Sequence, residues 1–303
     1  MTRSTAVLII GYNRPEKVEA KLRLLEPIFK DELIISIDGD TNRDASLSQK
    51  WMNVRALFPN LSWMFRQENL GLARHVTGSI SEVLRDFQNC IIIEDDVEVS
   101  ASFLCQLRQV LATRLPENVL TVGSFGGLPR LWPFLKLIKN RWRLSRYFSA
   151  WGWAIQREDW THFSLDLVNR NSFDLTRAIH ENFSGHKRKV WMRRAQVVSS
   201  NQYATWDFQV FFLGLLLNKK HMLPTFRSSD NVGFMDSRST NTKHKKPFWY
   251  TGRRATDFES LGVPKESPKY SKSLQFVDSL TWAGDSYLNR LIQLVHWVKG
   301  KIK

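Results

Sequence analysis

The chain has 303 residues, 43% hydrophobic and 12% aromatic, and its 44 Lys and Arg outnumber 29 Asp and Glu for a formal charge of +15. That apolar content excludes a disordered polyelectrolyte, and the length suffices for one large α/β domain or two modest ones with ample core. Only two cysteines are present, Cys90 and Cys105, which excludes a disulfide framework and fits a reducing compartment. No run approaches the roughly 20 apolar residues that spanning a bilayer needs, and no signal peptide is read at the N-terminus. The expected location is cytoplasmic, soluble or peripheral on the cytoplasmic membrane face. So basic a surface favours anionic partners, namely nucleic acid, phosphorylated substrates or an anionic membrane.

In chain order, Ala6-Val-Leu-Ile-Ile10 reads as a strand that runs into Gly11-Tyr-Asn-Arg-Pro15. Pro15 and Glu16 suit a first helical turn, and Val18, Leu22 and Leu25 keep helical spacing until Pro27. Leu33-Ile-Ile-Ser-Ile37 is a second strand ending in Asp38-Gly-Asp40, followed by an amphipathic helix from Ser48 to Phe58. A third strand spans Leu61 to Arg66, Asn69-Leu-Gly71 is a turn, and Leu72 to Phe87 is a helix. Alternating strands and helices across residues 6–110 predict βαβ units and a mainly parallel sheet.

The stretch Cys90-Ile-Ile-Ile-Glu-Asp-Asp-Val-Glu-Val99 then sets three β-branched residues against three consecutive acids, Glu94, Asp95 and Asp96. An unalternating apolar run fits a strand covered on both faces. Ligands in open α/β sheets collect outside the carboxyl ends of the strands, where these acids fall. Adjacent carboxylates repel unless a cation neutralises them, and carboxylate oxygens suit Mg²⁺ or Mn²⁺ held jointly with substrate phosphates. The acids are therefore read either as a divalent-metal and diphosphate site or as an acidic turn before a helix N-capped by Ser100.

Beyond residue 120 the pattern changes. Gly123, Gly126 and Gly127 loosen the chain before a basic-aromatic loop, 130–147, containing Trp132, Lys136, Arg141, Trp142, Arg143 and Arg146. This loop is expected to close over a ligand or to touch a membrane. Phe148-Ser-Ala-Trp-Gly-Trp-Ala-Ile155 follows, then a helix start at Arg157-Glu-Asp-Trp160, a helical basic region over 166–200, and an apolar helix from Thr205 to Leu217 carrying Asp207 near its beginning. Residues 227–272 read as polar, basic and mobile or ligand-ordered. The last segment, 276–303, holds a basic amphipathic helix N-capped by Asp285, which either lies on an anionic membrane or docks on the core.

Gly11-Tyr-Asn-Arg-Pro15, Asp38-Gly-Asp40, Asn69-Leu-Gly71-Leu-Ala-Arg74 and Glu94-Asp-Asp96, in that order and spacing, resemble a GT-A glycosyltransferase. The Glu-Asp-Asp form is similar to the variant DxD motif of the N-acetylglucosaminyltransferase I type and of related bacterial transferases. The aromatic-glycine segment Phe148–Ala154 and Trp206-Asp207 continue the likeness, which covers roughly residues 5–235. It implies a nucleotide-sugar-binding half over 1–120 and an acceptor-side half over 121–275.

The resemblance implies roles for single residues. Asp96 would ligate Mn²⁺ or Mg²⁺ on the diphosphate of a nucleotide-diphosphate sugar donor, and Glu94 and Asp95 would meet sugar and ribose hydroxyls. Asp38 would accept from the base or ribose, its other reading being a turn-capping Asp. Asn13 and Arg14 would lie beside base and phosphates. Arg74 is a phosphate partner or a solvated helix face, and Trp151, Gly152 and Trp153 line the sugar or belong to the core. Asp207 would be the base that activates a hydroxyl of a glycan or lipid-linked glycan acceptor in an inverting transfer, its other reading being an N-cap. His244, among lysines, would reach the metal or belongs to a solvated loop. Two rivals remain. The interleaved cations and aromatics of 130–147 suit a nucleic-acid groove, though no nucleic-acid motif is present and the acids would repel a phosphate backbone. A nucleotidyltransferase would also use metal and carboxylates, but with a glycine-rich loop where this chain has a single glycine.

Overall fold

A computed structural model describes residues 3–40, 44–113, 115–126, 142–203, 205–224, 228–234 and 236–238, together with Pro268 and Asp278. The first half is a parallel sheet built from consecutive βαβ units. Strands β1 (Arg3–Gly11), β2 (Leu33–Ile37), β3 (Ser62–Phe65) and β4 (Phe87–Glu94) alternate with helices α1 (Pro15–Phe29), α2 (Ala45–Leu57) and α3 (Leu72–Asp86). After β4 come β5 (Val97–Val99), α4 (Ala101–Ala112) and β6 (Val119–Gly123). The second half adds β7 (Trp142–Ser145), β8 (Trp153–Gln156), the short α5 (Arg157–Trp160) and α6 (Leu167–Arg170), then α7 (Ser172–Asn182), α8 (Gly185–Ser200), α9 (Trp206–Leu216), β9 (Lys220–Pro224) and β10 (Ser229–Asn231).

Eight strands form one sheet in the order β3-β2-β1-β4-β8-β6-β9-β7, and β5 pairs with β10 in a small antiparallel ribbon. Strands β3, β2, β1, β4, β6 and β9 run one way, while β8 and β7 run against their neighbours. This is the expected α/β class, a mainly parallel Rossmann-like sheet flanked by helices, and it is consistent with a GT-A arrangement. Its pleat explains the unalternating strand sequences. Leu8, Ile10 and Ile92 face one core with α3 and α9, whereas Val7, Ile9, Ile91 and Ile93 face the other with α1, α2 and α4. Both faces are covered, so the central positions of β1 and β4 are apolar without alternation.

Local differences from the sequence reading have local causes. Helix α1 continues through Pro27 to Phe29, because buried Leu25 and Phe29 anchor the last turn, where one missing N–H costs little. Helix α2 begins at Ala45, since Asp44 accepts from the Ser46 N–H at 2.8 Å. Ser100 caps α4 through the Phe103 N–H, as the spacing predicted.

The larger correction concerns the basic-aromatic stretch. Residues 142–145 are not loop. Trp142–Ser145 forms β7, buried at every position and antiparallel to β9. Trp142 packs on Phe103, the Arg143 guanidinium donates to the Gly126 carbonyl and to Asp278, and Arg146 donates to the Asn182 carbonyl. Three residues that suggested a nucleic-acid groove are thus committed inside the fold; residues 130–141 lie outside the described residues. Asp278, the one described residue of the segment 276–303, is 1% exposed against Arg143, and the helix expected after Asp285 lies outside the described residues. Among the described residues no helix is long and apolar enough to cross a membrane.

Arg143 and Asp278 are a buried pair, so removing one partner strands a charge. Arg143→Met is expected to lower stability by about 3–5 kcal/mol in chemical denaturation; a loss under 1 kcal/mol would mean that the pair is solvated.

Candidate active site

At the carboxyl ends of β1, β2 and β4 a cavity of about 600 Å³ opens, closed on its other sides by α3, α9 and the segment around β10. It brings together Asn13, Arg14, Asp38, Glu94, Asp95, Asp96, Trp151 and Asp207, all expected at the site. His75, Asn231 and Arg238 also line it, and the sequence reading missed them.

The three acids diverge because Glu94 ends β4 while Asp95 and Asp96 form the turn into β5. Glu94 continues the Ile92 face toward α9, and the Asp207 charge there is one of the repulsions it feels. Burial first, then Asp96, Asp95 and Asp207, push its carboxyl well above the usual range. Asp95 lies on the α1 side. It accepts from Arg14 Nη1 at 2.6 Å and from the Tyr12 N–H at 3.4 Å, while Lys21 Nζ donates to its carbonyl at 2.6 Å. Asp96 is held less closely, with Arg14 at 3.8 Å. Burial, then Asp95, raise its proton affinity despite the nearby cations.

A fourth carboxylate joins from much later in the chain. Strand β10 lies antiparallel to β5, the Val232 N–H donates to the Asp96 carbonyl at 2.8 Å, and this delivers Asp236 to Arg14 (3.3 Å) and Lys17 (3.0 Å). Hydrogen bonds, foremost from the Arg238 N–H, hold the Asp236 carboxyl far below the usual range. Arg238 itself reaches Glu16 at 2.7 Å. Residues 228–234 and 236–238, part of a stretch expected to be mobile or ligand-ordered, are held by backbone pairing and ion pairs. The Arg14, Lys17, Lys21 spacing on one face of α1 was a legible signal; nothing local marks Asp236 or Arg238.

Asp38 is buried and serves the turn that the capping alternative described. Its Oδ1 accepts from the N–H groups of Gly39 (3.0 Å) and Leu70 (2.9 Å), and burial raises its pKa despite those bonds. Asn69 donates to the Gly39 carbonyl at 2.8 Å, and a Cβ on Gly39 would lie 2.2 Å from the Glu68 carbonyl carbon. The two turns therefore lock together beneath the cavity. His75 continues this floor inward: its Nε2 lies 2.9 Å from Ser36 Oγ, which meets Ser79 Oγ at 2.8 Å.

On the other wall Trp151 lines the cavity, edge-on to Phe125 and Phe234. Gly152 has φ +77°, and a Cβ there would meet Ser124 Oγ at 2.6 Å, so only glycine suits this turn. Trp153 is corrected to core: it is fully buried and stacked on Trp206. Arg74 is placed outside the lining, exposed, with its guanidinium 4.1 Å from the centre of the Tyr203 ring. Asp207 sits inside α9, following Trp206, and Thr205 holds the N-cap position, which corrects the capping alternative. Burial raises the Asp207 pKa, partly offset by the Phe208 and Asp207 N–H groups and by Arg194. His244 lies outside the described residues.

Among the described residues no three His, Cys, Asp or Glu side chains converge as a complete metal-ligand set. The donor chemistry nonetheless fits a hard divalent ion of the kind that takes one or two carboxylates and completes its shell with phosphate and water. Asp95 is engaged by Arg14, while Asp96 borders the cavity with too little cationic compensation for its burial.

No family model and no curated protein matches the chain. Among solved structures it is similar to a mannosyltransferase from Pyrobaculum calidifontis in complex with GDP-Man and Mn²⁺, at 17% identity and TM-score 0.36 over 52% of this chain and 46% of that one. GalNAc-T7 with UDP, GalNAc and Mn²⁺ matches at 10% identity and TM-score 0.42, covering 74% of this chain and 42% of that one. A cytidylyltransferase from Leptospira borgpetersenii matches at 8% identity and TM-score 0.34, covering 54% and 64%. The chain spans less than half the length of the first two. Likenesses this distant concern the course of the backbone, and what the cavity does rests on its own residues.

Burial, then Arg66, depress the His75 pKa from 6.5 to about 3. Between those values the unfolded chain binds a proton that the folded chain refuses, so stability falls as pH drops through the window, by about 1.4 kcal/mol per pH unit from this group. His75→Gln is expected to remove that part of the slope in denaturation measured from pH 6.5 to 4.5; an unchanged slope would mean that His75 protonates in place.

Proposed function

We propose that the chain is a metal-dependent glycosyltransferase that moves a sugar, with inversion, from a nucleotide-diphosphate donor to a hydroxyl of a glycan or lipid-linked glycan. The observation that carries this reading is one cavity bordered by an under-compensated carboxylate at a strand end, Asp96, by cations suited to phosphate, Arg14 and Arg238, and by a desolvated carboxylate on a separate element, Asp207.

In this reading Asp96 holds the divalent ion, Mn²⁺ or Mg²⁺, with Asp95 beside it, and the bound ion supplies Lewis-acid stabilisation of the leaving diphosphate. Asp38, Asn13 and His75 form the floor on which nucleoside binds, and Trp151 offers an aromatic edge to the sugar. Asp207 takes the proton of the acceptor hydroxyl as that oxygen bonds the anomeric carbon and the bond to the diphosphate oxygen breaks. Its raised proton affinity suits a general base working near neutral pH. Glu94, also of raised proton affinity, shares that wall and orients sugar hydroxyls. Inversion requires the base to stand apart from the leaving-group site, and Asp207 comes from α9 while the metal candidate comes from the end of β4.

A ligand bound only by the folded state stabilises it, by about 2.7 kcal/mol at a hundredfold excess over Kd. Thermal unfolding with UDP, GDP and CMP is expected to show stabilisation by one nucleoside diphosphate that needs Mn²⁺ and disappears in Asp96→Ala. Stabilisation by a single-stranded oligonucleotide alone would replace the transferase with a nucleic-acid binder. Asp207→Asn should keep the nucleotide response and lose about 10²–10⁴ of the transfer rate; full activity in that variant would remove Asp207 as the base.

A further inference from the structure

Two arginines line the cavity, and they come from distant parts of the chain. Arg14 lies between β1 and α1, at the N-cap position of the helix, with no side-chain capping bond to fix it. Arg238 follows β10, and its side chain is 41% exposed. Arginine carries a long arm with many rotamers, so two of them converge on one space only when other groups set their planes.

Among the described residues one carboxylate touches both. Asp236 Oδ2 lies 3.3 Å from Arg14 Nε, and the two Asp236 oxygens take the Nε and Nη2 edge of Arg238, each at 3.3 Å. Other groups hold the remaining edges. Arg14 Nη1 meets Asp95 at 2.6 Å, while Arg238 Nη1 meets Glu16 at 2.7 Å and the Asn13 carbonyl at 3.4 Å. Of the two arginines Asp95 reaches Arg14 and Glu16 reaches Arg238, so Asp236 is the link between them. It is itself fixed in place. Its carboxylate accepts from the Arg238 N–H and from Lys17 Nζ, both at 3.0 Å, and its own N–H donates to the Gly233 carbonyl at 3.1 Å. The β5–β10 ribbon and the bond from the Val232 N–H to the Asp96 carbonyl anchor the preceding residues. Neither Asp236 nor Lys17 is part of the cavity lining, so this carboxylate holds the arginines without taking the space a ligand would fill.

We propose that Asp236 is a positioning residue for the donor's diphosphate, setting Arg14 and Arg238 together at the cavity wall before the donor binds. The proposal rests on the transferase reading. A guanidinium already held in the right plane loses less freedom when phosphate arrives, and its N–H groups need no reorganisation. The late segment of the chain thereby completes a phosphate site whose first half, Arg14, is set by β1 and α1.

Calorimetric binding of UDP and GDP to the full chain with Mn²⁺ tests this. Asp236→Asn keeps an oxygen for the Arg238 N–H and removes the charge that grips both guanidinium groups. Whichever nucleoside diphosphate stabilises the wild type should bind this variant about tenfold more weakly, the worth of one charge-assisted hydrogen bond. Asp236→Glu restores the charge and should recover most of the affinity. Arg238→Gln should cost a similar factor, and the double variant should fall well short of a loss of about a hundredfold, because the carboxylate acts through the arginines. Losses that multiply to the full hundredfold indicate a merely structural carboxylate and overturn the proposal. Unchanged or tighter binding in Asp236→Asn overturns it too, since the carboxylate would then be idle or would compete for the cations. If Asp236→Asn does not fold, Lys17→Gln, which loosens Asp236 from outside the cavity, takes its place; a loss of about threefold is expected and no loss overturns the role. All these failures leave the transferase standing, whereas absence of any Mn²⁺-dependent nucleotide shift in the wild type overturns both.

Discussion

Everything at this site follows from placing three adjacent carboxylates at the end of a strand that is covered on both faces. The apolar run Ile91–Ile93 can be buried only if helices lie above and below it, and those same helices then shield Glu94, Asp95 and Asp96 from water. Charges so placed are costly unless compensated. The end of β4 and the turn into β5 divide them, one toward α9 and one toward α1, and the chain answers with cations from α1 at fixed helical spacing. Compensation is incomplete. Asp95 is fully engaged, while Glu94 and Asp96 keep raised proton affinities, leaving a local demand for positive charge at the mouth of the cavity.

The second half of the sheet serves that arrangement. Strand β8 inserts antiparallel between β4 and β6, and this carries the Trp151-Gly152 turn to the cavity wall. Ser124 Oγ donates to the Trp151 carbonyl and the Ser124 N–H donates to the Gly152 carbonyl, while Ser229 Oγ donates to the Trp151 carbonyl as well, at 2.9 Å. A single turn is therefore held by segments from two distant parts of the chain. The β5–β10 ribbon does the same for Asp236, bringing a late carboxylate to share Arg14 with an early one.

The strong positive charge of the chain has several uses. Part is consumed internally, as with Arg143 against Asp278 and Arg146 against the end of α7. Part neutralises the acids of the site. A further part lies on α8, which carries Lys187, Arg188, Lys189, Arg193 and Arg194 and no acid. Net charge favoured an anionic partner without choosing among nucleic acid, membrane and substrate.

The sequence by itself determined the parallel half. Unalternating apolar runs, the Pro15 helix start and the Ser100 cap are local signals, and strand β2 was read to its ends because both of its faces are buried. It also marked most of the acids and Arg14 at the cavity, since ligands of an open α/β sheet collect at the strand ends where this charged cluster falls. Tertiary structure decided the rest. Whether Trp151 or Trp153 faces the cavity depends on which side of a positive-φ glycine each falls, and nothing in Trp-Gly-Trp says so. Trp142–Ser145 reads as a loop because an antiparallel strand buried by distant elements needs no apolar monotony when its arginines find carbonyl and carboxylate partners. Asp236 and Arg238 reach the site through a pairing between residues 97–99 and 229–231, and Arg74 left it for a tyrosine that lies far along the chain. Those are long-range contacts, fixed by strand pairing and packing rather than by spacing, so no window of sequence contains them.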